Sequence, residues 1–495
     1  MKRSFKLITF LIFTCIFITS ATTTFSAEKY TFLPTKQNKD PNKTWTIKFN
    51  ASLNKETITA ENIWISDSNG NKIDTALNLT EDLKSVKISP LKKGYNSNEN
   101  YLLNIENGVQ ALNGSKLSSA VAMPFIIPSF KLGDDLLITK HKELINGKKI
   151  GLVTNQTGVN SKYQSSITLL SNYKDAKLTA LYGPEHGIDG KAKAGDYVKS
   201  YVHPSLNIPV YSLYGDTRMP TKEMLSNIDV LIFDIQDIGA RSYTYMSTLN
   251  YCMVAAAQYN KPIIVLDRPN PLGGEIVDGP VLEDKYKTFV GVDNLPLCHG
   301  MTAGELANFF NRKIGAKLTV VPMEGYSRDM IFQDTELKWT QSSPYIPDID
   351  SVFSYSATGL GEGTSIYQDD CFSWIGGTGI NSDKYAKLLN DANLPGVKFI
   401  AENKGNFGGV KLQITDYHKF NPAKTGIYTL AYAHSLNNFK VPKSDKTIVM
   451  FDKIMGTDKI GIYLEKKYTP QQIEATYKTD LEKFRKERQK YLIYE

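Results

Sequence analysis

Five short apolar runs, each followed at once by a polar cluster, constrain this chain more than any other feature. Lys149–Val153 leads into Thr154-Asn155-Gln156-Thr157-Gly158, and Leu178–Tyr182 into Gly183-Pro184-Glu185-His186-Gly187. Ile208–Leu213 leads into Tyr214-Gly215-Asp216-Thr217-Arg218, and Val230–Phe233 into Asp234-Ile235-Gln236-Asp237-Ile238-Gly239. Pro262–Leu266 leads into Asp267-Arg268-Pro269-Asn270-Pro271. Uninterrupted apolar runs joined by helical stretches, such as Ser242–Tyr259, belong to parallel strands covered on both faces. The region from Leu132 onward is therefore expected to be α/β. Polar groups gathered at the carboxyl ends of such strands mark the crevice where open α/β sheets bind ligands.

The preceding residues follow a different rhythm. Between residues 30 and about 127, short alternating segments such as Thr44–Phe49 and Ile63-Trp64-Ile65 are separated by turn signals, including Ser68-Asn69-Gly70-Asn71. This spacing predicts an all-β sandwich over 28–129. The stretches FNASLNKETITAENIWISDSNGNKI and YLLNIENGVQALNGSKL resemble bacterial Ig-like modules of surface-layer and wall-associated proteins. No catalytic constellation occurs there, so a spacer or wall-targeting role is expected.

Ahead of it, residues 1–27 have the order of a cleaved signal peptide: a basic start, an apolar run over Leu7–Thr19, then small residues up to Ala27. The apolar run is too short to span a bilayer. A secreted or cell-wall-associated protein with no membrane span after cleavage is expected. Cys15 lies inside the apolar run, which leaves Cys252, Cys298 and Cys371 in the mature chain. That is too few for a disulfide scaffold. The formal net charge of +7 falls to +4 without Lys2, Arg3 and Lys6, and the remaining cations are scattered. Nucleic acid is therefore excluded as a partner.

The sequence lacks a phosphate-binding P-loop, an H-E-x-x-H zinc motif, a paired C-x-x-C and a G-x-S-x-G nucleophile elbow. Six scattered histidines favour neither a metal nor any cofactor. Carboxylates remain. Glu185 sits on a turn made rigid by Pro184 and relieved by Gly187, which suits a general acid or base beside a strand end. His186 is placed to orient its neighbour. Asp234 and Asp237 follow one strand, with Arg241 a turn later. Asp267, Arg268 and Asn270 form a stiff loop whose guanidinium could grip a carboxylate. Tyr243 offers an aromatic face for a sugar, and Asn155 and Glu362 lie in two further polar loops.

The ordered motifs GLVTNQTG, LYGPEHGIDGKAKAGD, SLYGDTRMPTKEML, DVLIFDIQDIGARSYTYMSTL, VLDRPNPLGGEIVDGPVLE and LPLCHGMTAGELANFFN resemble the exo-β-N-acetylmuramidases, as do QITDYHKFNP, FDKIMGTDKI and FRKERQKYLIY in the tail. The resemblance spans about residues 132–495. It implies a Rossmann-like subdomain over 130–345 and a smaller α+β subdomain over 346–495 that completes the cleft. It also implies release of N-acetylmuramic acid from non-reducing ends of peptidoglycan fragments, with Glu185 as the catalytic carboxyl. Where the family reads E-G-T-N and then G-R-G-T, this chain has Glu362-Gly363-Thr364-Ser365-Ile366-Tyr367-Gln368-Asp369-Asp370, so its sugar preference could differ.

The expected enzyme is a secreted exo-acting glycosidase in cell-wall turnover or recycling, with Glu185 protonating the leaving oxygen. Asp234, Asp237 or Glu362, or the substrate's own acetamido group, would fill the second role. Arg241 or Arg268 would clamp the lactyl carboxylate of muramic acid. The rivals are a non-catalytic wall-glycan-binding protein, an endo-acting muramidase and a glycosidase of altered sugar specificity.

Overall fold

The computed structural model describes residues 30–37, 42–97, 99–127 and 130–495. The proposed signal peptide and Cys15 lie outside the described residues. The chain divides into two units, one ending at Phe130 and one running from Lys131 to Glu495.

The first unit is all β: β1 (Tyr30–Phe32), β2 (Lys36–Gln37), β3 (Trp45–Lys48), β4 (Ile63–Ser66), β5 (Lys72–Ile73), β6 (Leu77–Leu79), β7 (Ser85–Ile88), β8 (Asn100–Ile105) and β9 (Ala120–Ile126). One sheet has the order β1-β9-β8-β4-β5, with β2 also on β9, and a second has the order β3-β7-β6. Period-two alternation decides which face each residue takes. In β3, Trp45 and Ile47 turn inward while Thr46 and Lys48 face solvent. The core closes on Phe125, whose ring centroid lies 4.8 Å from Trp45, 5.1 Å from Tyr95 and 5.3 Å from Tyr101.

The second unit is α/β, as the apolar runs predict. Its large sheet holds β10 (Lys149–Thr154), β11 (Lys177–Gly183), β12 (Tyr201–Val202), β13 (Pro209–Ser212), β14 (Val230–Asp234), β15 (Ile263–Leu266) and β16 (Leu318–Val321). The order is β12-β13-β11-β10-β14-β15-β16. Every pairing is parallel except that of the two-residue edge strand β12. Among the parallel strands the chain runs outward one way from β10 and then the other way from β14, the doubly wound arrangement of Rossmann-like sheets. All five residues of β14 are buried. Leu231 and Phe233 enter the core on one face, and Val230 and Ile232 enter the core on the other.

A smaller antiparallel sheet follows: β17 (Ile366–Asp369), β18 (Trp374–Thr378), β19 (Val397–Ala401) and β20 (Phe407–Ile414), in the order β17-β18-β20-β19. The helices are α1 (Gly133–Leu137), α2 (Ser166–Ser171), α3 (Tyr245–Gln258), α4 (Ala303–Ile314), α5 (Ile349–Thr358), α6 (Ser382–Asp391), α7 (Pro422–Asn437), α8 (Met450–Met455), α9 (Lys459–Glu465) and α10 (Pro470–Arg488). Their ends carry the expected signals. Thr302 and Glu305 form a capping box at the start of α4, and Gly315 closes it at φ +70°. Among the described residues, no helix is long and apolar enough to cross a membrane.

Candidate active site

Glu185 is fixed by the turn the sequence singles out. The Gly187 N–H donates to the Pro184 carbonyl at 3.0 Å, and both His186 (φ +69°) and Gly187 (φ +79°) take the left-handed conformation. That region is costly for a residue with a β-carbon, and such strain concentrates at functional sites. The turn leaves Glu185 largely buried. Its Oε1 accepts from the Gly195 N–H at 3.0 Å and its Oε2 from the Thr244 hydroxyl at 2.5 Å. Thr244 occupies the N-cap position of α3, yet its side chain makes no capping bond to the helix. Its hydroxyl donates to the carboxyl group instead, and α3 begins at Tyr245 rather than at the expected Ser242.

His186 points its Nδ1 at the Ala192 carbonyl, 2.8 Å away. That bond requires the proton on Nδ1. The His186 ring meets Tyr245 edge-on at 6.4 Å, Tyr245 meets Tyr243 at 4.9 Å, and Tyr243 meets Tyr355 at 5.8 Å. These rings form one largely buried aromatic cluster, within reach of the Glu185 charge. Tyr243 bonds the Ser342 hydroxyl at 2.9 Å, and Tyr245 donates to the Ser342 carbonyl. Burial pushes the Tyr243 phenol up to about 12, so it remains a neutral donor. Asn155 accepts from the Thr157 N–H at 2.9 Å and the Thr157 hydroxyl at 2.6 Å through Oδ1. The rest of its amide is buried and faces the Tyr245 phenol.

Glu362 comes from the other subdomain, just past the end of α5. It keeps solvent access at the cleft mouth, although protein crowds its other sides. That crowding, together with the charge of Glu185, pushes its pKa above the ordinary glutamate value. Tyr355 lies within the field of both carboxyls. The departure from the family pattern lies just beyond. Ile366–Asp369 is the edge strand β17, and Asp370, Cys371 and Phe372 all take positive φ in the turn to β18. This turn carries the Phe372 ring to 4.9 Å from Tyr355.

Several expected site residues are committed elsewhere. Asp234 binds Arg268 with both oxygens, at 2.6 and 2.9 Å, and accepts from the Ser166 hydroxyl. Asp134 approaches the same guanidinium at 3.4 Å, and all three side chains are almost fully buried. Burial and the Asp234 charge push the Asp134 pKa well up. This ion cluster fills the point where the strand order reverses. What remains there is a cavity of about 20 Å³, lined in part by Thr157, Asn160, Gln236 and Arg268, the size of one water.

Arg241 is not a clamp either. It donates to the carbonyls of Pro280 and Leu295 at 2.8 Å and to that of Ile454 at 2.5 Å. Burial draws its pKa down to about 9, so it is still cationic at neutral pH. Asp267 accepts from Thr302, Gly304 and Tyr494 at 2.8, 2.7 and 2.6 Å, anchoring the start of α4. Asn270 spans the Leu272 N–H and the Met301 carbonyl. Asp237 accepts from the Gly239 N–H at 2.9 Å and stands 3.7 Å from His299, and its charge reaches Tyr243. It is buried.

The structure thus brings Glu185, His186, Asn155, Tyr243 and Glu362 into one neighbourhood, and it withdraws Asp234, Arg241, Asp267, Arg268 and Asn270 into the framework. Sequence reasoning missed Thr244, Tyr355 and the Gly195 N–H. Thr244 lay inside a quoted motif, but nothing local distinguishes a hydroxyl that caps a helix from one that serves a distant carboxyl. Among the described residues, no group of three or more His, Cys, Asp or Glu side chains has the arrangement of a metal site.

Residues 150–350 match the family described as exo-beta-N-acetylmuramidase NamZ, N-terminal, and residues 353–494 match its C-terminal counterpart. Residues 21–130 match a bacterial Ig-like domain. The chain is 44% identical over 384 residues to the peptidoglycan beta-N-acetylmuramidase NamZ of Bacillus subtilis, which covers 74% of this chain and 92% of that protein. Two crystal structures of DUF1343 family proteins from Bacteroides fragilis each cover 74% of this chain and 99% of theirs. One is 36% identical with a TM-score of 0.67, and the other is 25% identical with a TM-score of 0.57.

Proposed function

The chain belongs to the exo-β-N-acetylmuramidase family and is a glycoside hydrolase; from that premise we propose that it is exported and releases N-acetylmuramic acid from the non-reducing ends of peptidoglycan fragments during wall turnover. The observation that carries the reading is the pair of carboxyls, Glu185 and Glu362, contributed to one cleft by two subdomains. Hydrolysis of a glycosidic bond needs one carboxyl to protonate the leaving oxygen and a negative charge or base at the anomeric centre.

The two environments support a division of labour. Glu362, whose pKa is raised, is the better placed of the two to give a proton to the leaving oxygen. Glu185, hydrogen-bonded at both oxygens by donors, serves the anomeric centre as the carboxylate. This reverses the role that sequence reasoning expects for Glu185. Half-buried Tyr355, backed by the buried Tyr243–Tyr245 pair, offers an apolar face to the sugar ring. The Ig-like unit and the N-terminal segment fit a protein that works at the wall.

The test is a product analysis. Peptidoglycan fragments digested by the full chain should yield monosaccharide N-acetylmuramic acid, and Glu185→Gln should yield none. Oligosaccharide products would identify an endo-acting enzyme, and glycan retention without products would identify a binding protein.

A further inference from the structure

The sugar assigned above carries a lactyl carboxylate, and it must enter a cleft that already holds two carboxyl groups. A cation beside it would offset the Glu185 charge, and an arginine can in addition grip a carboxylate bidentately. The two arginines that sequence reasoning nominates are spent, Arg241 on backbone carbonyls and Arg268 on Asp234 and Asp134. Arg312, Arg328 and Arg485 each pair with a carboxylate, and Arg488 is buried against carbonyls. Among the described residues, Arg218 is the arginine that is exposed and has no carboxylate within ion-pair distance.

Arg218 is also held in place. Its guanidinium carbon lies 4.4 Å from the Tyr214 ring centroid and 5.1 Å from that of Phe289. Phe289 is braced in turn by Tyr251 of α3, at 5.4 Å. The guanidinium lies against both rings and one of its N–H groups is directed at the Tyr214 hydroxyl; a guanidinium has five N–H donors, so donors remain for a planar anion. The backbone is fixed as well: the Thr217 hydroxyl donates to the Met219 carbonyl at 2.7 Å, and the Met219 N–H returns to that hydroxyl at 3.0 Å. The neighbouring Asp216 is occupied by the Tyr197 hydroxyl at 2.8 Å.

The sheet register puts this arginine beside the catalytic turn. Gly183 of β11 and Ser212 of β13 are paired in register, and the Leu213 N–H donates to the Gly183 carbonyl at 2.8 Å. Glu185 and Tyr214 therefore stand two residues past the same rung, on neighbouring strand ends. The Glu185 charge reaches the Tyr214 phenol, which also lies beside the Arg218 guanidinium.

Resting on the muramidase reading, we infer that Arg218 is the specificity residue of this enzyme: its guanidinium edge receives the lactyl carboxylate of the terminal sugar, held by the Tyr214–Phe289 bracket. An N-acetylglucosamine residue, which lacks that group, leaves the arginine unpaired and is discriminated against.

The experiment uses the full chain and three 4-nitrophenyl glycosides: the N-acetylmuramide, its lactyl methyl ester, and its lactyl amide with alanine, whose carboxylate sits one residue further out. Wild type should prefer the free acid. Arg218→Gln should raise KM for the free acid about 10- to 100-fold, the range expected for a lost charge-assisted pair, and change kcat by less than about 3-fold. The acid-to-ester ratio of kcat/KM should fall by the same factor, and Arg218→Lys should restore part of it. An unchanged ratio, equal losses on acid and ester, or a KM effect confined to the alanine amide overturns the clamp. Wild type that cleaves none of the muramides overturns the muramidase reading itself, and the clamp with it.

Discussion

Replacing Glu362 by Gln separates the two carboxyl roles. The substitution keeps side-chain volume, and no hydrogen bond or ion pair of Glu362 with a described residue is lost. A general acid contributes about 10²- to 10⁴-fold, or about 2.7–5.4 kcal/mol of barrier. That loss should be seen in full on a natural disaccharide, whose departing sugar oxygen cannot leave without a proton. A 4-nitrophenolate leaves without help, so the same variant should keep the chromogenic substrate within about 5-fold of wild type. Glu185→Gln should lose both substrates together.

The pH dependence has a definite sign. Glu362 works while protonated, so wild-type activity on the disaccharide falls as pH rises through its raised pKa. That alkaline limb should disappear in the variant. Stability provides the control for folding. A carboxyl whose folded pKa is raised contributes stability that is present below its unfolded pKa and lost as pH rises through the folded value. Glu362→Gln removes that loss, so its melting temperature above neutral pH should equal or exceed that of wild type. The assay is steady-state kinetics on both substrates from pH 4 to 9, beside thermal melts. Equal losses on the two leaving groups, or leaving-group dependence in Glu185→Gln instead, would refute the assignment.

Other perturbations test the framework. Arg268→Leu leaves Asp234 and Asp134 buried without their cation and should cost about 3–5 kcal/mol in urea denaturation at pH 7. Asp134→Asn removes a group whose folded pKa is raised, so the decline of wild-type stability with rising pH should flatten in pH-dependent melts. Gly456 has φ +75°, and a β-carbon there would lie 2.9 Å from an Arg241 nitrogen, so Gly456→Ala should destabilise by about 1–3 kcal/mol by denaturant titration. N-terminal sequencing of protein exported from a Gram-positive host should begin at Glu28. A start at Met1 would count against a cleaved signal peptide.

Much of this molecule is written locally. Apolar runs with no polar interruption, such as Val230–Phe233, specify strands buried on both faces, and the alternation in Trp45–Lys48 specifies a half-buried one, because side-chain direction follows backbone period within a few residues. Glu185 was legible for the same reason, since Pro184 and Gly187 shape its turn over one rung of chain. The fate of the other charges was not local. Asp234 and Arg268 look like site residues because they end strands, yet they are 34 positions apart and neutralise each other. Arg241 is enclosed by the Ile454 carbonyl, 213 residues away. Glu362, by contrast, reads as part of a glycine-rich loop, and it gained its raised pKa only when folding crowded protein around it and brought the Glu185 charge near. Burial and charge pairing act through space. The sequence by itself therefore determined the strands, the turn and the family, and the tertiary structure decided which strand-end charges face the cleft and which cancel inside the protein.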